Sequence, residues 1–288
     1  MTDAALLHEG SHPDPFSLLG RHGCGRQVVV RVFLPGAQRV CLVETGQFLQ
    51  RLVDTDVFEW HGAAEVLPVH YRLAWVDLSG QEFVVYDPYS FSPQLSLYDL
   101  HLFNEGRHLH AYRVLGAHPR IVSGIAGVLF SVWAPNACRV GVVGDFNNWD
   151  GRCHFLRRRG SVWELFIPGV VVGMRYQFEI RSHESGDLFF KSDPYGRCFE
   201  RRPATSSVVV DSAAYAWRDE IWMARRRRQD WTQMPLAVYE VHLGSWLRSG
   251  QDDYLGYIDL AQRLVAYVSA LGFTHIELMP ISEHPLDA

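Results

Sequence analysis

The chain has 288 residues, 48% of them hydrophobic and 20% charged, with a formal net charge of −5 and a pI near 6.3. That balance is ordinary for a soluble globular protein of about two domains and excludes a disordered chain, while the acidic surplus gives no general attraction to nucleic acid or an anionic membrane. The five cysteines, Cys24, Cys41, Cys138, Cys153 and Cys198, are odd in number and form no C-x-x-C pair. They predict reduced thiols, with neither a disulfide framework nor a zinc site. No stretch approaches ~18 apolar residues and no signal peptide is read, so the expected location is cytoplasmic, with no membrane partner.

In chain order, the residues up to Gly20 are expected to begin extended or irregular. They close on His12-Pro-Asp-Pro-Phe-Ser-Leu-Leu-Gly20, a Pro-broken turn followed by an apolar patch. An internal repeat follows. Arg31-Val-Phe-Leu-Pro-Gly-Ala-Gln-Arg-Val40 matches Ser131-Val-Trp-Ala-Pro-Asn-Ala-Cys-Arg-Val140 at an offset of 100. His70-Tyr-Arg-Leu73 matches Arg175-Tyr-Gln-Phe178, and Tyr86-Asp-Pro-Tyr89 matches Ser192-Asp-Pro-Tyr195, the offset drifting to 105 and 106. Each copy consists of short alternating strands with turns every eight to twelve residues, which predicts a β-sandwich.

The fold class read here is therefore mainly β: two tandem immunoglobulin-like β-sandwich modules over residues 1–110 and 111–215, a connector over 216–236, and a different architecture from 237 onward. Ser96 to Gly106 is expected to be a short capped helix acting as a linker. The run Arg225 to Arg228 is short and lies in an acidic chain among Trp217, Trp222 and Trp231, so it is read as connector and no nucleic-acid partner is assigned.

From Pro235 the pattern changes. Ala237 to Leu243 reads as a strand buried on both faces. Leu260, Leu264, Tyr267, Val268 and Leu271 recur at helical spacing, and Phe273 to Ile281 returns to strand. This is one βαβ unit, the first β-α-β of an incomplete TIM barrel, since a closed (β/α)₈ barrel takes roughly 250 residues and Ala237 to Ala288 supplies 52. The expectation is a fragment or truncation of something larger.

Val238-Tyr-Glu-Val-His-Leu-Gly-Ser-Trp246 and Leu271-Gly-Phe-Thr-His-Ile-Glu-Leu-Met-Pro-Ile-Ser-Glu-His-Pro285 closely resemble the first two barrel strands of bacterial glycogen branching enzymes, in glycoside hydrolase family 13. The His12 to Gly20 element and the tryptophan-flanked connector resemble theirs as well. The second repeat resembles carbohydrate-binding module family 48. The resemblance implies formation of α-1,6 branches in glycogen biosynthesis, a partner that is glycogen or another α-1,4-glucan, no cofactor, no metal and a monomer.

It also implies that the Asp, Glu and Asp of family catalysis follow barrel strands four, five and seven, so no catalytic residue is assigned here and the chain alone is expected to be inactive. The alternatives are a stand-alone glucan-binding protein and a non-functional gene remnant. Glu240 and Glu277 read as barrel-interior polar residues, and His242, His275 and His284 match no metal spacing. Glu283 and His284 would border the substrate cleft.

For glucan contact the tip Gly144-Asp-Phe-Asn-Asn-Trp-Asp150 stands out, because a Trp face offers a flat apolar platform and Asn amides reach sugar hydroxyls. Related modules use this Trp, a downstream basic residue and an aromatic before Asp-Pro. Here those positions hold Trp149, Gln177 and Phe190, with Asn148 beside the Trp, and Gln replaces the base.

Overall fold

The computed structural model describes residues 3–201, 203–211, 215–249 and 253–282. The chain forms two compact units that divide close to residue 212.

The first unit opens on α1 (Asp3–His8), a correction to the irregular start expected from sequence. Ala4, Ala5, Leu6 and Leu7 are strong helix formers, and a single helical turn suffices to carry Leu7 into full burial against Leu19, Phe33 and Val57. Eight strands follow: β1 (Gly20–Cys24), β2 (Gln27–Phe33), β3 (Ala37–Leu42), β4 (Gln47–Phe48), β5 (Gln50–Arg51), β6 (Val57–Ala63), β7 (Arg72–Asp77) and β8 (Glu82–Tyr86). They form two antiparallel sheets, β1-β2-β6-β5 and β4-β3-β7-β8. The two-residue period of strand side chains places Val28, Val30 and Val32 of the first sheet against Val40, Leu42 and Leu73 of the second.

α2 (Leu97–Asn104) is capped by Ser96, whose hydroxyl accepts from the Asp99 amide at 3.0 Å, as its sequence predicts. Then come β9 (Gly116–Val122), β10 (Ile125–Trp133), β11 (Ala137–Gly144), β12 (Arg157–Arg159), β13 (Val162–Pro168), β14 (Arg175–Ser182), β15 (Leu188–Lys191) and β16 (Ser207–Val208). They build a sheet β12-β13-β10-β9 and a sheet β11-β14-β15, with β16 extending β14. Val128, Phe130, Val132, Trp163 and Leu165 meet Val140, Val142, Tyr176 and Phe178 between them. The arrangement is mainly β, with few helices and several antiparallel sheets.

The likeness of the two halves reaches further back than the repeat read from sequence. Asp3 to His12 aligns with Asp99 to His108 at an offset of 96, matching at Asp, Leu, Glu, Gly and His. Gly10 and Gly106 end their helices at φ of 60° and 66°, a left-handed conformation that glycine adopts without strain. His108 Nε2 lies 3.0 Å from Asp99, and His12 Nε2 lies 3.8 Å from Asp3. α2 packs Leu100 and Phe103 on Leu115 and Val162, as α1 packs on Leu19 and Val57. The helix read as a linker is thus the counterpart of the chain's first helix. Both halves carry the same buried buckle: Tyr71 donates to Asp87 at 2.5 Å, and Tyr176 to Asp193 at 2.6 Å.

The second unit contains α3 (Glu220–Arg228), β17 (Val238–Val241), α4 (Leu243–Trp246), α5 (Tyr257–Ala270) and β18 (His275–Leu278). β17 and β18 pair in parallel, with α5 between them in sequence. Both strands are shorter than their apolar runs. Leu243, read as the last residue of the first strand, instead opens a helical turn through Trp246, whose amide donates to the His242 carbonyl at 3.0 Å. Val241, Leu264 and Val268 form the core with Tyr239, Trp246 and Phe273 around it. Val238, Leu278, Met279 and Ile281 are each 42% exposed, so much of this apolar surface lies open.

Candidate functional site

The tip after β11 is built by one asparagine. Asn147 accepts from the Gly144 amide at 2.9 Å, and its amide nitrogen reaches the Val142 carbonyl and His154 Nδ1, each at 2.9 Å. Desolvation in the fold pushes the His154 pKa down to about 4, so the ring is neutral and Nδ1 is free to accept. Phe146 turns inward, its ring 5.5 Å from that of Phe130. The next two residues are forced outward: Asn148 and Trp149 lie at φ of 52° and 61°, in the left-handed region. Asn tolerates this region and Trp rarely occupies it, and such strain costs of order 1–3 kcal/mol where surroundings impose it. The Trp149 amide closes the loop on the Gly144 carbonyl at 3.1 Å.

Trp149 is 36% exposed. Asp145 is gripped by Arg175, which donates from Nη2 at 2.8 Å and from its backbone amide at 2.9 Å. That Arg175 hydrogen bond holds the Asp145 carboxyl below the usual range. Arg175 also reaches Glu200 at 3.0 Å. The tip is therefore an ionic clamp carrying an indole on a strained backbone.

Of the residues singled out in sequence, Asn148 and Trp149 form the exposed crest of the tip. Gln177 sits on β14 opposite Val143, where the partner of β14 changes from β16 to β15, and its amide donates to Thr205 Oγ1 at 3.0 Å. Phe190 lies on β15 opposite Glu179 and is 52% exposed. The antiparallel register makes Gln177 and Phe190 diagonal neighbours on one face, roughly 7–8 Å apart at Cα. One sheet thus carries all four.

Glu283 and His284 lie outside the described residues. Glu240 and Glu277 face each other across the parallel pair and are both exposed. Sequence reasoning missed Asp145, Asn147, His154 and Arg175 as the residues that hold the tip. The signal for Asn147 was present in Asp-Phe-Asn-Asn-Trp, whereas Arg175 lies 30 positions from its partner Asp145. Among the described residues no cluster of three His, Cys, Asp or Glu side chains could hold a metal, and no helix is long and apolar enough to cross a membrane.

Residues 2–89 match the family model of the alpha-1,4-glucan branching enzyme GlgB N-terminal domain, and residues 114–196 match carbohydrate-binding module 48, the isoamylase N-terminal domain. Over 99% of its length the chain is 53% identical to the 1,4-alpha-glucan branching enzyme GlgB of Cellvibrio japonicus, of which it covers 40%. In sequence the chain corresponds to the amino-terminal part of a GlgB branching enzyme. The GlgB of Methylococcus capsulatus is 52% identical over 99% of the chain and 39% of its own length. The chain thus spans about two fifths of the GlgB relatives it matches. A type I pullulanase of Bacillus subtilis complexed with maltose superposes with a TM-score of 0.39 and 17% identity, over 91% of this chain and 37% of that one, too loosely to bear on the fold.

Proposed function

We propose that this chain is the α-glucan-handling amino-terminal portion of a 1,4-α-glucan branching enzyme acting in cytoplasmic glycogen synthesis. The observation that carries the reading is the 53% identity to a GlgB over 99% of the chain. On this reading the two halves of the first unit are tandem immunoglobulin-like modules, and β17-α5-β18 is the first β-α-β of a (β/α)₈ barrel. The open apolar surface of that unit supports this, because parallel strands expect cover on both faces.

Glycogen or another α-1,4-glucan would lie on the crest at Trp149, with Asn148 offering an amide and Phe190 a second apolar face. Gln177, already tied to Thr205, would contribute through its free carbonyl oxygen. The family's three carboxylates follow later strands, so a polypeptide of these 288 residues is expected to leave amylose unbranched in an iodine-stain assay. Measurable branching by the pure chain would sink that part. For glucan contact, Trp149→Ala is expected to weaken retention in a glycogen affinity gel, whereas Trp246→Ala is not. Equal mobility of wild type and folded Trp149→Ala would refute the Trp149 platform.

A further inference from the structure

The tip returns to the sheet through Gly151 to Phe155, and this return segment is held from two sides. On its own side, the His154 carbonyl accepts from the Val142 amide at 3.0 Å, and Phe155 bridges to Gly141. On the other side stands the preceding half of the chain. The Tyr89 hydroxyl accepts from the Phe155 amide at 2.9 Å and donates to the Cys153 carbonyl at 3.4 Å. The Phe155 ring is buried among Leu7, Leu19, Phe33 and Val57, all from the first half. Arg139, which pairs with Glu179 on the sheet beneath, reaches the Gly151 carbonyl at 3.4 Å. Gly10 lies against that guanidinium: a Cβ there would come within 2.5 Å of Nη1.

The repeat supplies the control. Tyr195 holds the place of Tyr89 in the second half, and both amides donate to the Asp two positions back, at 2.8 and 2.9 Å. The backbone frame is the same, yet Tyr195 is 36% exposed while Tyr89 is sunk against the return segment. Only one of the two hydroxyls has been turned to a segment of the other half.

We propose that Tyr89 is a positioning residue, through which the first half sets the shape of the Trp149 tip. This rests on the glucan reading above only for its consequence in binding; the mechanical coupling stands on the hydrogen bonds and the Phe155 plug. The first half would then serve recognition without touching glucan, by denying the return segment the freedom that would let Asn148 and Trp149 relax from their strained backbone.

The test uses the full chain. Hydrogen exchange is read over 145–155 and over β10 and β13, and glycogen retention is read in an affinity gel, for Tyr89→Phe, Tyr195→Phe and Trp149→Ala. Losing one buried acceptor corresponds to about fivefold faster local exchange. That acceleration is expected over 151–155 in Tyr89→Phe, with β10 and β13 unchanged, together with weaker glycogen retention, whereas Tyr195→Phe changes neither. If Tyr89→Phe does not fold, Phe155→Leu, which keeps the hydroxyl bond and loosens the plug, carries the same expectation.

Unchanged exchange over 151–155, or equal acceleration everywhere, overturns the proposal. So does full retention by Tyr89→Phe when Trp149→Ala has lost it. Local acceleration with retention unaffected in both Tyr89→Phe and Trp149→Ala upholds the positioning and refutes the glucan platform instead.

Discussion

Phe48 and Phe155 occupy the same place in the two halves, and their fates differ completely. Each is the residue before a leucine whose amide bonds the carbonyl of an equivalent valine, Leu49 to Val40 and Leu156 to Val140, each at 2.9 Å. Each lies opposite an equivalent strand residue, Cys41 or Gly141, and under an equivalent arginine, with Arg39 6.0 Å and Arg139 5.3 Å from the ring centroid. Phe48 is 61% exposed and Phe155 is 1% exposed. The chain between the paired core positions, Leu42 or Val142, and these rings is also unequal: five residues in the first half and twelve in the second. What the halves share is the machinery of folding, the Tyr–Asp buckle and the helix that docks on each half. What they do not share is the tip, and the exposed face of one half has become the buried seam of the other.

The largest effect should therefore separate those two rings. Phe155→Ala removes a fully enclosed aromatic and is expected to cost about 3–5 kcal/mol, while Phe48→Ala should stay within about 0.5 kcal/mol. Chemical denaturation of the two variants checks this. Comparable losses would mean that Phe48 is covered in solution and that the halves are more alike than described.

Titration gives the next contrast, because a buried Asp of the buckle occurs in each half and His154 belongs to the tip of one half alone. Burial raises Asp87 and Asp193 to about 6 each, despite donors from Tyr71 and Tyr176. Their stabilising contribution is present at low pH and lost as pH rises through 6. Burial depresses His154 to about 4 from 6.5, so its contribution is present above 6.5 and lost as pH falls toward 4. From pH 7 to 5 the histidine withdraws about 2 kcal/mol, and the two acids return a similar amount. Among these three groups the changes nearly cancel, whereas His154→Gln should gain about 2 kcal/mol over the wild type between pH 7 and pH 5. Parallel pH curves for wild type and variant would show that His154 does not titrate as its burial dictates.

Much of the first unit was legible in the sequence because long alternating strands advertise their faces, and the Tyr and Asp of each buckle sit inside short matching blocks. The Ser96 cap and the helical stripe of Leu260, Leu264 and Val268 were legible for the same local reasons. α1 was not, since a six-residue helix has too little period to detect, and its counterpart in α2 matches at scattered positions only. The crest at Asn148 and Trp149 could be read as a motif. Its supports could not: the Asp145–Arg175 clamp spans 30 residues, and the Tyr89–Phe155 bond spans 66. Nothing local distinguishes Phe155 from Phe48, because burial there depends on one half covering the other. Gln177 stood out for replacing a base, while its bond to Thr205 depends on the course of the chain into β16.

The smallest expected difference sharpens the comparison most, because it asks whether the shared buckle is energetically the same in both halves. Tyr71→Phe and Tyr176→Phe each remove one hydroxyl donor from a buried aspartate, at 2.5 and 2.6 Å. Each carboxylate keeps one further donor of its own, the Tyr89 or the Tyr195 amide. At pH 7 a buried charge that loses such a donor should cost about 1.5–3 kcal/mol. Below pH 6 each acid protonates and needs the donor less, so both losses should shrink together. The two variants are expected to agree within about 0.5 kcal/mol at each pH, and at distant sites their effects should add in the double variant. A gap well above that, or a loss in one half that ignores pH, would mean that the surroundings of the two aspartates have diverged although their geometry has not.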